Sequence, residues 1–148
     1  MINNLKTKYP VDVDITSITE GFIRSKAVYD SLLLSDKLPQ LYSLKTKFLI
    51  IYAIYPKLSR ITCYPIKSTL IWKLKIVLTS SNAKIVSRIA SFLKMYEIIH
   101  TTGISAQNEK YIVENYITGK NSWEQAIDLS LEINKIAEVE KCSIEIIE

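Results

Sequence analysis

A mixed α+β fold is what this sequence predicts, and three observations carry the prediction. Apolar residues alternate with period two over Leu70–Leu78 and again over Cys142–Ile147. Two stripes with helical spacing lie between these strands, and the segment separating the helices has the length of a β-hairpin. Strand, helix, strand, strand, helix, strand over residues 70–148 is the ferredoxin-like βαββαβ plan, an antiparallel sheet with both helices on one face. Residues 69–148 are then the core domain, and residues 1–68 an N-terminal extension of a helix and a hairpin packed on it.

From the N-terminus, Ile18, Phe22, Ile23, Val28 and Leu32–Leu34 suggest a helix near Thr16–Leu34, ending before Ser35-Asp36 and Pro39. Leu44–Tyr55 and Ser59–Ile66 are rich in β-branched and aromatic residues and are broken by Pro56 and Pro65, which predicts a hairpin turning at Pro56-Lys57. In the next strand Trp72, Leu74, Ile76 and Leu78 alternate with Lys73, Lys75 and Val77, so Lys73 and Lys75 are expected to face outward. Ser80-Ser81-Asn82 suits an N-cap, and Ile85, Ile89, Phe92, Leu93 and Tyr96 then recur along a helix of about 17 residues. Tyr96–Ser105 and Lys110–Thr118 fit two arms of a hairpin around Ala106–Glu109, although periodicity leaves the second arm open between strand and short helix. Ser122-Trp123-Glu124-Gln125 is a capping box that opens a helix over Asn121–Ala137, with Ala126, Leu129, Ile133, Ile136 and Ala137 as its apolar stripe. Cys142–Ile147 closes the chain as a strand.

Charge is distributed unevenly. Lys37–Tyr96 has eleven Lys or Arg and no Asp or Glu, and interleaves Tyr42, Tyr52, Tyr55, Tyr64, Trp72 and Tyr96. Residues 1–94 hold fifteen basic against five acidic side chains, and residues 95–148 four against ten, so balances of +10 and −6 underlie the net +4. A folded, locally uncompensated basic segment points to a polyanion such as structured RNA, bound through phosphates and RNA shape with strong salt dependence. Burial is the ordinary fate of Tyr52, Tyr55 and Trp72; stacking on bases is the sharper alternative.

Chemistry is read mostly from what the sequence lacks. His100 is the one histidine, and no HxxxH or CxxC spacing supports a metal. Neither GxGxxG nor GxxxxGK[ST] is present, so no nucleotide cofactor is expected. Glu97 and Glu109 stand in no catalytic motif, and Ser80-Ser81 reads as a cap rather than a nucleophile; a non-enzymatic protein is expected. Cys63 and Cys142 are isolated thiols consistent with a reduced compartment, with a disulfide between them left open. The longest apolar run, Phe48–Tyr55, is eight residues and reads as a buried strand rather than a membrane span. No signal or transit peptide is evident in the sequence. Twenty-four Ile, and 16 Lys against 3 Arg, are the imprint of AT-rich coding.

Residues 71–147 resemble one family. Ile71-Trp-Lys-Leu-Lys-Ile-Val-Leu-Thr-Ser80 and the helix after Asn82 are similar to the first strand and helix of small-subunit ribosomal protein S-ten. Trp123-Glu-Gln-Ala-Ile-Asp-Leu-Ser-Leu131 and Glu140-Lys-Cys-Ser-Ile-Glu-Ile-Ile147 resemble its second helix and last strand. The family's long basic hairpin, with its Leu-Pro and Arg-Ser-Pro-His type stretches, is replaced here by Gly103-Ile104-Ser105 and Lys110–Gly119. The resemblance implies a structural protein of the small ribosomal subunit, mitochondrial and organelle-encoded or otherwise cytoplasmic. Its partners would be rRNA and neighbouring ribosomal proteins.

The function expected from the sequence is accordingly rRNA binding through a basic face made of Lys45, Lys47, Lys57, Arg60, Lys67, Lys73, Lys75, Lys84, Arg88 and Lys94. Glu124, Asp128 and Glu132 would face basic proteins. No cofactor, membrane or small-molecule substrate enters this reading. Two alternatives are a ferredoxin-like ligand-sensing regulatory domain that dimerises through its sheet, and a viral or defence protein acting on a nucleic-acid enzyme.

Overall fold

A computed structural model describes residues 17–32, 42–55, 57–68, 70–119 and 122–148. Its elements are β1 (Thr19–Ser25), α1 (Lys26–Leu32), β2 (Lys47–Tyr55), β3 (Leu58–Ile66), β4 (Ile71–Leu78), α2 (Ala83–Leu93), β5 (Ile98–Gln107), β6 (Lys110–Thr118), α3 (Trp123–Asn134) and β7 (Val139–Ile147). Two sheets form, in the orders β1-β2-β3 and β5-β6-β4-β7, with every pair antiparallel. The second sheet places the first and third strands of the βαββαβ unit at its centre and the other two at its edges. This is the ferredoxin-like α+β fold.

Trp72, Leu74, Ile76 and Leu78 of β4 are fully buried, and they meet Ile85, Ile89 and Leu93 of α2 and Ala126, Leu129 and Ile133 of α3. A side chain at Gly119 would place its Cβ 2.6 Å from the Trp72 ring, so glycine is required where the indole is roofed over. The Trp72 indole N–H is the one buried side-chain donor among the described residues without a partner, at a cost of about 1–3 kcal/mol.

Both caps form as the sequence predicts. The Asn82 side chain accepts from the Ile85 amide at 3.0 Å, and Ser122 Oγ accepts from the Gln125 amide at 3.4 Å. Helix α2 is shorter than expected because the chain turns at Lys94, and Tyr96 packs its ring 6.0 Å from Trp72. Helix α3 is tied to β7 by Asn134, whose carboxamide accepts from the Cys142 amide at 2.7 Å and donates to its carbonyl at 3.0 Å. Lys110–Thr118 is a strand. A two-residue turn at Asn108 and Glu109, with φ of 49° and 63°, joins it to β5, the left-handed geometry that matches the twist of a hairpin. Cys63 and Cys142 are both free thiols, and burial pushes the Cys142 thiol up to about 12.

The N-terminal part departs from expectation. Of the expected Thr16–Leu34 helix only Lys26–Leu32 is helical, while Thr19–Ser25 is a strand and Thr16, Leu33 and Leu34 lie outside the described residues. Thr19, Gly21 and Ile23 alternate inward and pair with Ala53, Ile51 and Leu49, so a period of two prevails over the mixed helical spacing. The expected hairpin forms as β2 and β3. Both faces of β2 are covered, with Phe48, Leu49, Ile50 and Ile51 at most 1% exposed, which accounts for its unbroken apolar run. Phe48 stacks on Tyr29 at 4.0 Å and meets Tyr42 edge-on.

Leu49 and Ile51 pack against Ile71, Tyr116 and Ile147, so the three-stranded sheet lies on the face of the core sheet that the helices leave open. Lys73 is therefore not outward-facing: it is 3% exposed, and the same covering leaves Lys75 half-buried. Lys73 donates to the Thr19 carbonyl and lies 3.4 Å from the carboxylate of Glu114, which is fully buried. Glu114 also accepts from the amides of Ile18 and Thr19, at 2.8 and 2.9 Å, and from the Thr19 hydroxyl. Tyr116 Oη shares a 2.9 Å hydrogen bond with the same Thr19 hydroxyl. Burial pushes the Tyr116 phenol far above its ordinary value. Its ring lies so close to β1 that a Cβ at Gly21 would sit 2.4 Å from it.

The two sheets meet again at the other edge, where Tyr64 Oη and His100 Nδ1 are 2.8 Å apart. Desolvation, and then the Arg60 charge, lower the His100 pKa, so the folded protein prefers the neutral ring.

Two consequences are measurable. An unfolded His100 takes up a proton near 6.5 while the folded ring resists it, so this part of the stability is complete above that value and is lost as pH falls below it. Between about pH 7 and about pH 5 the melting temperature should fall less for His100→Gln than for the parent chain; equal falls would show that His100 does not contribute. Glu109→Gly should relieve the left-handed strain and raise stability by about 1 kcal/mol in urea unfolding, whereas a loss would contradict the turn geometry.

Candidate functional site

The β5–β6 ladder is interrupted between Thr101 and Ile104, where Thr102 and Gly103 together oppose Glu114. The Glu114 amide donates to the Thr102 hydroxyl at 3.0 Å, a side chain filling a place in the ladder. Gly103 adopts φ +71°, and an added Cβ there would meet nothing within 4 Å. The bulge bends β5, and the Thr101 hydroxyl accepts from the Gly103 amide at 3.4 Å.

Between this bent edge and α2 lies a groove of 240 Å³. Val86, Ile89, Ala90 and Leu93 form its helical wall, Ile98 and Ile104 its strand wall, and Val113 and Asn115 its floor. Alternation along β6 sends Val113, Asn115 and Ile117 toward the helices and Glu114 and Tyr116 toward the other sheet. Asn115 is 5% exposed; its carboxamide makes no hydrogen bond among the described residues, and its polar atoms are open to the groove rather than sealed from solvent. A carboxamide carries two donors and an acceptor, and here they sit at the bottom of an otherwise apolar groove with Thr101 at the rim. Chemically, the groove suits a small aliphatic group attached to one polar function.

Two further depressions are present. One lies between α2 and α3, lined by Phe92, Met95, Tyr96, Gln125, Asp128, Leu129 and Glu132. The other lies between β3 and the β5–β6 hairpin, beside Tyr64, Lys67, Glu97 and Thr118. Neither has a buried polar side chain in its lining. Among the described residues no three His, Cys, Asp or Glu gather as a metal site.

The cations expected to form one basic face are divided among three places. Lys45, Lys47, Lys57, Arg60 and Lys67 are exposed on or beside β2 and β3. Lys84, Arg88 and Lys94 are exposed on or just after α2, on the opposite side of the core sheet. Lys73 is locked in the interior by Glu114 and the Thr19 carbonyl, and Lys75 is half-buried, its pKa lowered chiefly by burial. Glu124, Asp128 and Glu132 are exposed on α3, the helix beside α2, so acidic and basic stripes share one layer. Of the aromatic residues, Trp72 is buried, while Tyr52 and Tyr55 stay at the rim of β2.

Sequence reasoning passed over Thr19, Gly21, Glu114 and Asn115. A signal for two of them was available: Glu114-Asn115 interrupts the apolar strand Tyr111-Ile-Val-Glu-Asn-Tyr-Ile117, where polar residues are costly unless each has a task.

No family model and no curated protein matches the chain. Among solved structures, the solution structure of the C-terminal domain of the MgtC protein from Mycobacterium tuberculosis is similar, with a TM-score of 0.45 and 6% identity over 55% of this chain and 90% of that one. A likeness of this size transfers no role to this chain. The expected ribosomal, rRNA-binding function is corrected by the fold itself: the cations that were to bind rRNA do not share a face, since two groups lie on opposite sides of the core sheet and Lys73 is held in the interior.

Proposed function

We propose that this chain is a ferredoxin-like ligand-sensing regulatory domain, with the groove between α2 and the β5–β6 hairpin as its ligand site. One observation carries the reading: Asn115 lies at the floor of an apolar groove, and its carboxamide, without a hydrogen bond among the described residues, is open to whatever enters the groove. Its polar atoms are open to the groove rather than sealed in the interior, so a ligand there can exchange its own hydrogen bond for that of water while burying its aliphatic part against the apolar walls. The volume of 240 Å³ fits a branched aliphatic molecule of a few carbons with one amide or carboxyl-type group. Pairing of two copies through the open face of the core sheet is closed off, because β1–β3 occupy that face.

Isovaleramide is a suitable probe, being a short branched chain with a single amide. In NMR titrations it should shift the Asn115 side-chain amide together with the methyl groups of Val86, Ile98 and Ile104. Asn115→Leu, which keeps the shape and removes the polar groups, should weaken binding about tenfold. Shifts confined to other surfaces, or equal affinity in the variant, would overturn the assignment.

A further inference from the structure

The helix layer carries two complementary stripes. Helix α2 exposes Lys84, Ser87, Arg88 and Ser91, with Lys94 just beyond its end, and no acidic residue lies in it. Helix α3 exposes Glu124, Asp128 and Glu132, flanked by Ile127 and Leu131. Glu132 pairs with Lys135, which caps the end of α3, but Lys84, Arg88, Glu124 and Asp128 have no ion-pair partner among the described residues. Leu131 is 54% and Ile127 41% exposed, large apolar side chains in the same layer as the unpaired charges.

The antiparallel order of β4 and β6 makes α2 and α3, which follow them and cover the same face, antiparallel neighbours. Consider a second copy placed face to face on this layer. A twofold axis lying in the layer and parallel to the helices sets α2 of each copy over α3 of its partner. An in-plane axis perpendicular to the helices would set α2 on α2 and α3 on α3, like charge on like. From this charge complementarity we infer that the helix layer is a self-complementary interface, and that its occupant is a second copy of this chain docked α2 on α3. Each ion pair then occurs twice, as an isologous contact requires. The interface has Leu131 and Ile127 as its apolar part and the charges as its register.

Helices of 11 and 12 residues are about 16–18 Å long, and a pair of them presents a face at the small end of stable interfaces. The dimer is therefore concentration-dependent and weakens with salt, because its ion pairs are rim-exposed. This inference does not depend on what fills the groove floored by Asn115, since it uses other faces of α2 and α3.

Sedimentation velocity on the intact chain tests it with two charge-reversed variants, Lys84→Glu/Arg88→Glu and Glu124→Lys/Asp128→Lys. All four positions are exposed, and circular dichroism checks that both variants keep the fold. The parent chain should form a dimer at low salt that dissociates at high salt. Each variant alone should be monomeric, since all four helix stripes then carry one sign. An equimolar mixture of the two should dimerise again, because each acidic α2 then meets a basic α3 and each acidic α3 a basic α2. A parent chain that is monomeric at low salt, variants that still dimerise alone, or a mixture that stays monomeric would each overturn the inference.

Discussion

Everything on the N-terminal side of the molecule depends on one buried carboxylate. Glu114 is fully enclosed between the sheets and is met by two amides, one hydroxyl and one ammonium group. A buried ion pair adds little stability over a well-packed apolar alternative, but removing one partner strands the other at a cost of about 3–5 kcal/mol. What the cluster provides is register. Thr19 gives its amide and hydroxyl to Glu114 and takes a hydrogen bond at its carbonyl from Lys73, so β1 docks at one position only. A slip by one residue would turn Thr19 and Gly21 away from the core sheet and bring a side chain against the Tyr116 ring.

The same strand connects this clamp to the groove. Glu114 and Asn115 are successive residues pointing to opposite faces of β6, one into the sheet-on-sheet interior and one beneath α2. The β5 bulge opposite Glu114 is accommodated by the Thr102 hydroxyl, so the irregularity that opens the groove leaves the Glu114 amide hydrogen-bonded. The N-terminal sheet changes what a βαββαβ unit offers to its surroundings. With one face of the core sheet covered, the helix layer and the bent β5 edge remain as surfaces for recognition.

The core was legible in the sequence because its signals are local. Alternation along β4, the Asn82 and Ser122 caps and the two apolar stripes each arise within one element and survive into the fold. Leu70–Leu78 was read correctly for Trp72 and Leu74 but not for Lys73, since alternation separates two faces without saying whether the second is wet. The Thr16–Leu34 stretch misled because Phe22, Ile23 and Val28 fit a helix locally, while pairing with β2 draws Thr19–Ser25 into a sheet. The charge split misled for a topological reason. The basic part contributes α2 and the acidic part α3, and the fold sets these helices side by side, so segregation along the chain becomes complementarity within one layer.

Contact between Gly21 and Tyr116 is the most direct witness that the N-terminal sheet closes the core as described. Nuclear Overhauser effects from the Tyr116 ring protons to the Gly21 α-protons, measured on the full chain with labelled tyrosine, test it in one experiment. Strong cross-peaks are the expected result, because the ring edge lies against the Gly21 backbone. A Tyr116 ring with cross-peaks only to the residues of its own sheet would contradict the account, leaving Glu114 and Lys73 on an open face.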